Sequence, residues 1–193
     1  MTVGAGLPRL VKLLSDVRSY SERLFIYKEI GSLSKEQAKL AIINPAKRLD
    51  IAYCDEATDE IFNITKGYPF FIQQFCQTMF NNDVPTVIRK TDVQNTITEY
   101  YEILDAGFFQ SRYERCSDGE RKFIFAMTDC GSLPCTISGI AEKMNKDVKS
   151  ISPVRAKLID KGIIYPVRHS ELDFTVPDFD KYIGRLRERI HST

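Results

Sequence analysis

The stretch ITKGYPFF, residues 64–71, places an abrupt corner in the sequence. Apolar residues at helical spacing lie on both sides of it, which predicts a helix before the corner and another after it. Gly67 is suited to end the first helix, because glycine readily takes a positive φ. Pro69 is suited to open the second, because the first helical position needs no amide hydrogen. The corner therefore predicts two consecutive helices separated by little more than Tyr68.

Capping boxes predict where several other helices begin. In each box a Ser or Thr hydroxyl accepts a hydrogen bond from the amide three residues on, and a Glu or Gln side chain reaches back. The boxes are Ser34 to Gln37, Thr91 to Gln94 and Ser117 to Glu120. The first predicts a helix that begins at about Lys35 and stops before Pro45. Acidic residues from Asp55 onward indicate a further helix start.

The order of elements changes after residue 117. The predicted order is a helix that ends at Gly131, a short helix at 137–144, a turn, and a helix at 148–161. The strands IIYPV and LDFTV follow, and Pro177 is predicted to open a last helix. This order is typical of a winged helix-turn-helix. The fold class we predict is mainly α, a helical bundle followed by a winged helix-turn-helix with a small β-hairpin.

Composition excludes several classes of protein. The chain has 43% hydrophobic and 27% charged residues, and it contains no run of about 18 apolar residues, so we expect a soluble, cytoplasmic protein without a membrane span. Five cysteines without a C-x-x-C pair indicate neither a disulfide framework nor a metal site. The net charge is +1, so affinity for nucleic acid would have to come from local clusters of basic residues.

Seven short segments in order resemble one known family. They are GAGLPRL, YSERLF, IGSLSKEQAKLAIINPA, ITKGYPFFIQQF, DAGFFQSRYER, SPVRAKLIDKGIIY and FTVPDFD. Together they resemble the C-terminal part of prokaryotic AAA-type P-loop ATPases, which are similar to origin-recognition and STAND ATPases. The resemblance implies that residues 1–31 are the end of an ATPase α/β core, that 32–112 form the helical lid, and that 113–193 form a winged helix.

The resemblance also implies a nucleotide site. In related ATPases a Gly-x-Pro corner between lid helices packs its proline against adenine, and the matching residues here are Gly67 and Pro69, with Tyr68 as a wall. Arg23 is implied as a phosphate contact, within the subunit or across a subunit boundary. Phe70 stands where some relatives place an arginine that senses the γ-phosphate. The alternatives are that Gly67 and Pro69 only stop and start helices, and that Arg23 forms a salt bridge.

The phosphate-binding half of such a site is missing from this sequence. A P-loop requires G-x-x-x-x-G-K-[ST], and no glycine here is followed by lysine. Asp55 and Glu56 superficially match a magnesium-binding acidic pair, but the polar residues that follow indicate the first turn of a helix. We therefore expect ATP and magnesium to bind only together with a missing core, and no hydrolysis by this polypeptide alone.

The C-terminal part predicts a DNA-binding surface. Its residues are Lys149, Ser150, Ser152 and Lys157 on the third helix, with Arg168 and His169 at the tip of the wing. The helix would enter the major groove and the wing would reach the flanking backbone. Winged helices also bind proteins, so a partner protein is the alternative ligand. The second hypothesis for the whole chain is a stand-alone winged-helix transcription regulator with an N-terminal helical domain for dimerisation or sensing.

Overall fold

A computed structural model describes residues 26, 28, 31–82, 84–168 and 170–191. Arg23, His169 and most of residues 1–31, the expected end of an ATPase core, lie outside these residues. The described chain is mainly helical, with a small antiparallel sheet of three strands, as the sequence predicted at this level. Residues from Leu33 onward form one compact unit. Of the helices in the described ranges, none is long and apolar enough to cross a membrane.

Four helices form the first half of this unit. They are α1 (Lys35–Lys47), α2 (Asp55–Thr65), α3 (Pro69–Phe80) and α4 (Lys90–Ile103). Two short strands, β1 (Ala52–Tyr53) and β2 (Val87–Ile88), pair in parallel beside the helices. The core between the helices is apolar, and its fully buried side chains include Ile61, Phe71, Phe75 and Tyr100. The predicted helices on both sides of the Gly-Tyr-Pro corner are confirmed.

Helix α1 begins as predicted but ends later. The Gln37 amide donates to Ser34 Oγ at 3.3 Å, and the Ser34 amide donates to Gln37 Oε1 at 3.0 Å. The prediction that the helix stops before Pro45 is wrong, since α1 continues through Pro45 to Lys47. A proline in the last turn removes only one backbone hydrogen bond. Burial of the Ala46 side chain, which is 2% exposed, stabilises that turn.

The predicted capping box at Thr91 is also wrong, because α4 begins one residue before it. The residue that caps this helix is Asp92, whose Oδ2 accepts a hydrogen bond from the Arg89 amide at 2.7 Å. An ionised carboxylate accepts a stronger hydrogen bond than the neutral amide of Gln94 could. The cap formed by Asp92 is therefore favoured over the predicted box from Thr91 to Gln94, and the helix begins at Lys90.

Helix α4 continues without a break into a π-helical segment, Leu104–Phe109, and then into α5 (Gln110–Glu114). The continuous helical segment therefore ends at Glu114. The next helix, α6 (Asp118–Asp129), begins at the predicted third capping box, where the Ser117 amide donates to Glu120 Oε2 at 2.7 Å.

The second half of the unit follows the predicted order. It comprises β3 (Cys135–Thr136), α7 (Ile137–Lys143), α8 (Val148–Asp160), β4 (Ile164–Arg168), β5 (Glu171–Phe174) and α9 (Phe179–His191). The sheet order is β3-β5-β4, so the two predicted strands gain a third, which the sequence pattern did not show. Pro177 does not open α9, because the next residue, Asp178, has a φ of 61°, which interrupts a right-handed helix.

A buried carboxylate joins the two halves. Asp105 lies in the π segment and is 3% exposed. Arg185 on α9 donates from Nη2 to Asp105 Oδ1 at 2.6 Å and from Nε to Oδ2 at 2.9 Å. Arg189 adds a third hydrogen bond at 3.0 Å. The Asp105 carboxylate raises the pKa of Arg185, although burial opposes this. Helix α9 is thereby fixed to the π segment.

We predict that Asp105→Asn lowers the free energy of unfolding by about 3 kcal/mol, because the partly buried guanidinium of Arg185 loses its buried carboxylate partner. Urea denaturation measures this loss. The matched control is Asp129→Asn, which breaks an exposed pair with Arg187 of the same 2.6 Å length. That variant should lose about 0.5 kcal/mol. Equal losses in the two variants would contradict the importance of the buried pair.

Candidate functional site

The Gly-Tyr-Pro corner reverses the chain between α2 and α3. Lys66 and Gly67 both have left-handed backbone conformations, with φ of 52° and 70°. The Gly67 carbonyl accepts a hydrogen bond from the Leu33 amide at 2.8 Å, which ties the corner to the start of α1. A Cβ atom at residue 67 would lie 2.3 Å from the Leu33 carbonyl oxygen. Gly67 is therefore required by close backbone packing as well as by its positive φ.

An apolar groove opens beside the corner. It has a volume of about 670 Å³ and lies between α1, β1 and α3. Pro69 lines its edge at the first position of α3, and Leu33, Leu49 and Phe80 are among the other walls. Gly67 and Tyr68 do not line the groove. The Tyr68 ring instead packs edge-on against Phe71, at a centroid distance of 4.9 Å. Of the three predicted corner residues, the structure brings only Pro69 to the groove.

The groove contains a few polar groups. The Tyr53 hydroxyl is buried beside the Cys76 thiol and has no hydrogen bond of good geometry. Burial raises the pKa of Cys76 to about 11, so this thiol stays protonated at neutral pH. The side chains of Gln73 and Gln77 also line the groove and are exposed. Apolar walls with a small number of donors and acceptors are typical of sites for small organic ligands.

The residue after Pro69 faces the π segment. Phe70 stacks on Phe108 with ring centroids 4.7 Å apart and planes 21° apart. The guanidinium carbon of Arg112 lies 3.6 Å from the same Phe108 ring, and two groups at these distances must occupy opposite faces. Burial lowers the pKa of Arg112. Arg112 thus lies near the corner, although the residue that directly follows Pro69 is Phe70. The position of Arg112 depends on the folding of the π segment, so spacing in the sequence could not have predicted it.

The predicted DNA-binding side chains within the described residues are exposed. Lys149, Ser150, Ser152 and Lys157 on α8 are all exposed, and so is Arg168 at the end of β4. His169 lies outside the described residues. Ser150 Oγ donates to the Asp147 carbonyl at 2.8 Å, and Ser152 Oγ donates to the Val148 carbonyl at 2.7 Å. These hydroxyls are already used as donors, so toward a ligand their oxygens can only accept hydrogen bonds.

A second cavity lies between α8 and the hairpin of β4 and β5, and we call it the helix–hairpin pocket. Its volume is about 500 Å³. Its lining residues are Ile137, Val148, Ser152, Arg155, Pro166, Val167, Arg168 and Ser170. Arg155 was not predicted from the sequence as a site residue. It lies three residues after Ser152, and this spacing places the two side chains on one face of a helix. The spacing could therefore have indicated that Arg155 belongs to the same surface.

Comparison with known proteins gives one partial match. Residues 106–183 are similar to a family described as a domain of unknown function (DUF8462). The match begins in the π segment, includes α6 to β5 and ends within α9, and it does not reach the Gly-Tyr-Pro corner. A search of curated proteins finds no match.

We predict that Gly67→Ala costs about 2 kcal/mol more of folding free energy than Gly131→Ala, because a steric overlap is added to the cost of a left-handed alanine. Gly131 is the matched control, since its φ is also positive, at 82°, and a Cβ atom there would have no neighbour within 4 Å. Thermal or urea denaturation of both variants measures the difference. Equal destabilisation would show that the Leu33 carbonyl moves away at no cost.

Proposed function

We propose that this chain is the helical lid and winged-helix portion of an AAA-type P-loop ATPase. In this role it couples the nucleotide state of an ATPase core outside the chain to the binding of DNA. The main support is the continuous contact from the Gly-Tyr-Pro corner to the C-terminal half. Phe70 stacks on Phe108 at one end of the π segment, and Asp105 in the same segment binds Arg185 of α9.

The groove beside Pro69 has the chemistry that a purine needs. Its walls are apolar, its width is set by α1 and α3, and Gln73 and Tyr53 supply hydrogen-bonding groups. No arginine or lysine lines it, so the phosphates of ATP would have to be held elsewhere. The proposal assigns phosphate and magnesium binding to the core and, by resemblance, to Arg23. The residues of this chain would then hold the base.

The second half has the order of elements that the proposal requires. In this proposal α6, α7 and α8 with the β4 and β5 hairpin form a winged helix-turn-helix, and α8 is the recognition helix; the order of the elements supports it. Lys149 and Lys157 are exposed on α8, and Arg168 is exposed on the hairpin. These positive charges face solvent, where they can neutralise backbone phosphates.

The contacts between the halves support movement as one body. Tyr101 on α4 donates to Asp178 Oδ2 at 3.2 Å, and burial raises the pKa of Tyr101 to about 12, which keeps it protonated as a donor. The ring of Phe109 stacks on that of Tyr182 at 5.4 Å. A lid that closes on a nucleotide would therefore carry α9 and the winged helix with it. Such closure changes DNA binding only if DNA contacts differ between the open and closed states.

We predict that adenosine binds the groove weakly and that Pro69→Ala weakens this binding further, because the proline ring is lost from the groove wall. Titration with adenosine, followed by the amide NMR signals of Leu33 and Gln73, measures the affinity. Pro85→Ala, in an exposed loop, is the control and should bind as the unchanged protein does. Equal adenosine affinity of Pro69→Ala and Pro85→Ala would show that Pro69 is not part of the site. If adenosine binds neither the unchanged protein nor either variant, the nucleotide role is contradicted.

We predict that duplex DNA binding weakens as salt rises, and that Lys149→Ala reduces the slope of log K against log salt by about 1 because one phosphate contact is lost. Fluorescence anisotropy with a labelled duplex measures both quantities. Lys47→Ala, which removes an equal charge from the exposed end of α1, is the control and should leave the slope unchanged. A protein that does not bind the duplex at all would favour a partner protein as the ligand.

A further inference from the structure

The side chains that line the helix–hairpin pocket carry positive charge and no negative charge. Two of its lining side chains, Arg155 and Arg168, carry guanidinium groups, and none of its lining side chains is acidic. Glu171 is the register partner of Arg168 across the hairpin, but it does not line the pocket. The other walls are mostly apolar and include Val148 and Val167, which are 38% and 40% exposed. The pocket is therefore open to solvent, and its charged groups are accessible to a ligand.

Arg155 has an unused donor at this place. Its Nε atom is buried and has no hydrogen-bond partner in the described structure. No carboxylate of the described residues forms a salt bridge with its guanidinium. Because this Nε atom is inaccessible from outside, an anion in the pocket would meet the other guanidinium nitrogens of Arg155, which have no carboxylate partner among the described residues. A guanidinium offers several donors in one plane, which match the oxygens of a phosphate.

The hairpin is distorted where it meets the pocket. The pairing of β4 with β5 shifts register between Pro166 and Arg168, so Val167 is an extra residue on β4. Bulges of this kind redirect side chains and are frequent beside binding sites. Here the bulge lies at the two residues, Val167 and Arg168, that form one wall of the pocket. The opposite wall is the α8 face that carries Ser152 and Arg155.

The geometry points to a phosphate clamp: the helix–hairpin pocket binds one phosphodiester group of a nucleic-acid backbone between Arg155 and Arg168. This inference rests on the proposed DNA-binding function and names the two arginines that would hold one backbone phosphate. Nucleic acid is the favoured source of the phosphate because the pocket adjoins the exposed half of α8 that carries Lys149. Arg155 is then a positioning residue, since a fixed phosphate sets the register of α8 along the duplex.

The test compares duplex affinity for Arg155→Gln, Arg168→Gln and the double variant. Each single substitution should weaken binding about tenfold, as expected for loss of a charge-assisted hydrogen bond. The double variant should lose much less than the product of the two single losses, because both arginines hold the same phosphate. Losses should be equal for two duplexes of unrelated sequence. Arg48→Gln, exposed after α1, is the charge control and should bind normally.

A second measurement reports on Arg155 directly. Its Nε–H signal in an NMR spectrum should move when the duplex is added to the unchanged protein, because a phosphate bound to the same guanidinium changes the electrostatic environment of that proton. Circular dichroism checks that the variants fold, and Arg155→Lys replaces Arg155→Gln if the latter unfolds. The Arg155→Lys variant keeps the positive charge but lacks the planar guanidinium group, so it should still bind the duplex less tightly than the unchanged protein does.

The outcomes separate the clamp from the proposed function. If the duplex binds but Arg155→Gln binds equally well, the clamp is wrong and the proposed function stands. If the two single losses multiply in the double variant, or if they depend on DNA sequence, a shared phosphate is excluded. If the unchanged protein binds no duplex, the clamp and the DNA-binding role both fail.

Discussion

The structure depends on the burial of one carboxylate. Asp105 is 3% exposed, and an ionised carboxylate removed from water is strongly destabilising unless its charge is compensated. Its compensation comes from Arg185 and Arg189, which lie about eighty residues further along the chain on α9. Folding of the first half therefore leaves an unpaired charge until α9 has docked. This requirement makes the helical bundle and the C-terminal helix parts of one folded unit.

The π segment is the place where the separate parts of the molecule meet. Its consecutive residues Phe108 and Phe109 contact different parts of the molecule. Phe108 packs between Phe70 of the corner and Arg112, while Phe109 stacks on Tyr182 of α9. The segment thus connects the groove region with the half that carries α8. Segments of this type are frequent at functional sites, and this position agrees with a role in coupling.

Local sequence rules predicted the elements well where neighbouring residues decide the structure. Ser34, Ser117 and the Gly67 to Pro69 corner were placed correctly because caps and turns depend on a few adjacent residues. Prediction failed where contacts distant in sequence or competing caps decide the result, as at Pro45, Thr91 and Pro177. The groove, the π segment and the placement of Arg155 and Arg168 around one pocket depend on tertiary packing, which periodicity cannot show. The functional assignments of Gly67, Tyr68, Pro69, Arg23 and the α8 residues remain predictions.

The hydrogen bonds of the two serines on α8 have a consequence for recognition. Because the hydroxyls of Ser150 and Ser152 already donate hydrogen bonds to backbone carbonyls, their oxygens remain available to accept hydrogen bonds from amino groups. In a major groove the amino groups are those of adenine N6 and cytosine N4. If α8 enters a major groove as proposed, its lysines would contact the phosphate backbone and its serines would contact the bases. Its preference would thus be set by where the duplex displays protons rather than lone pairs.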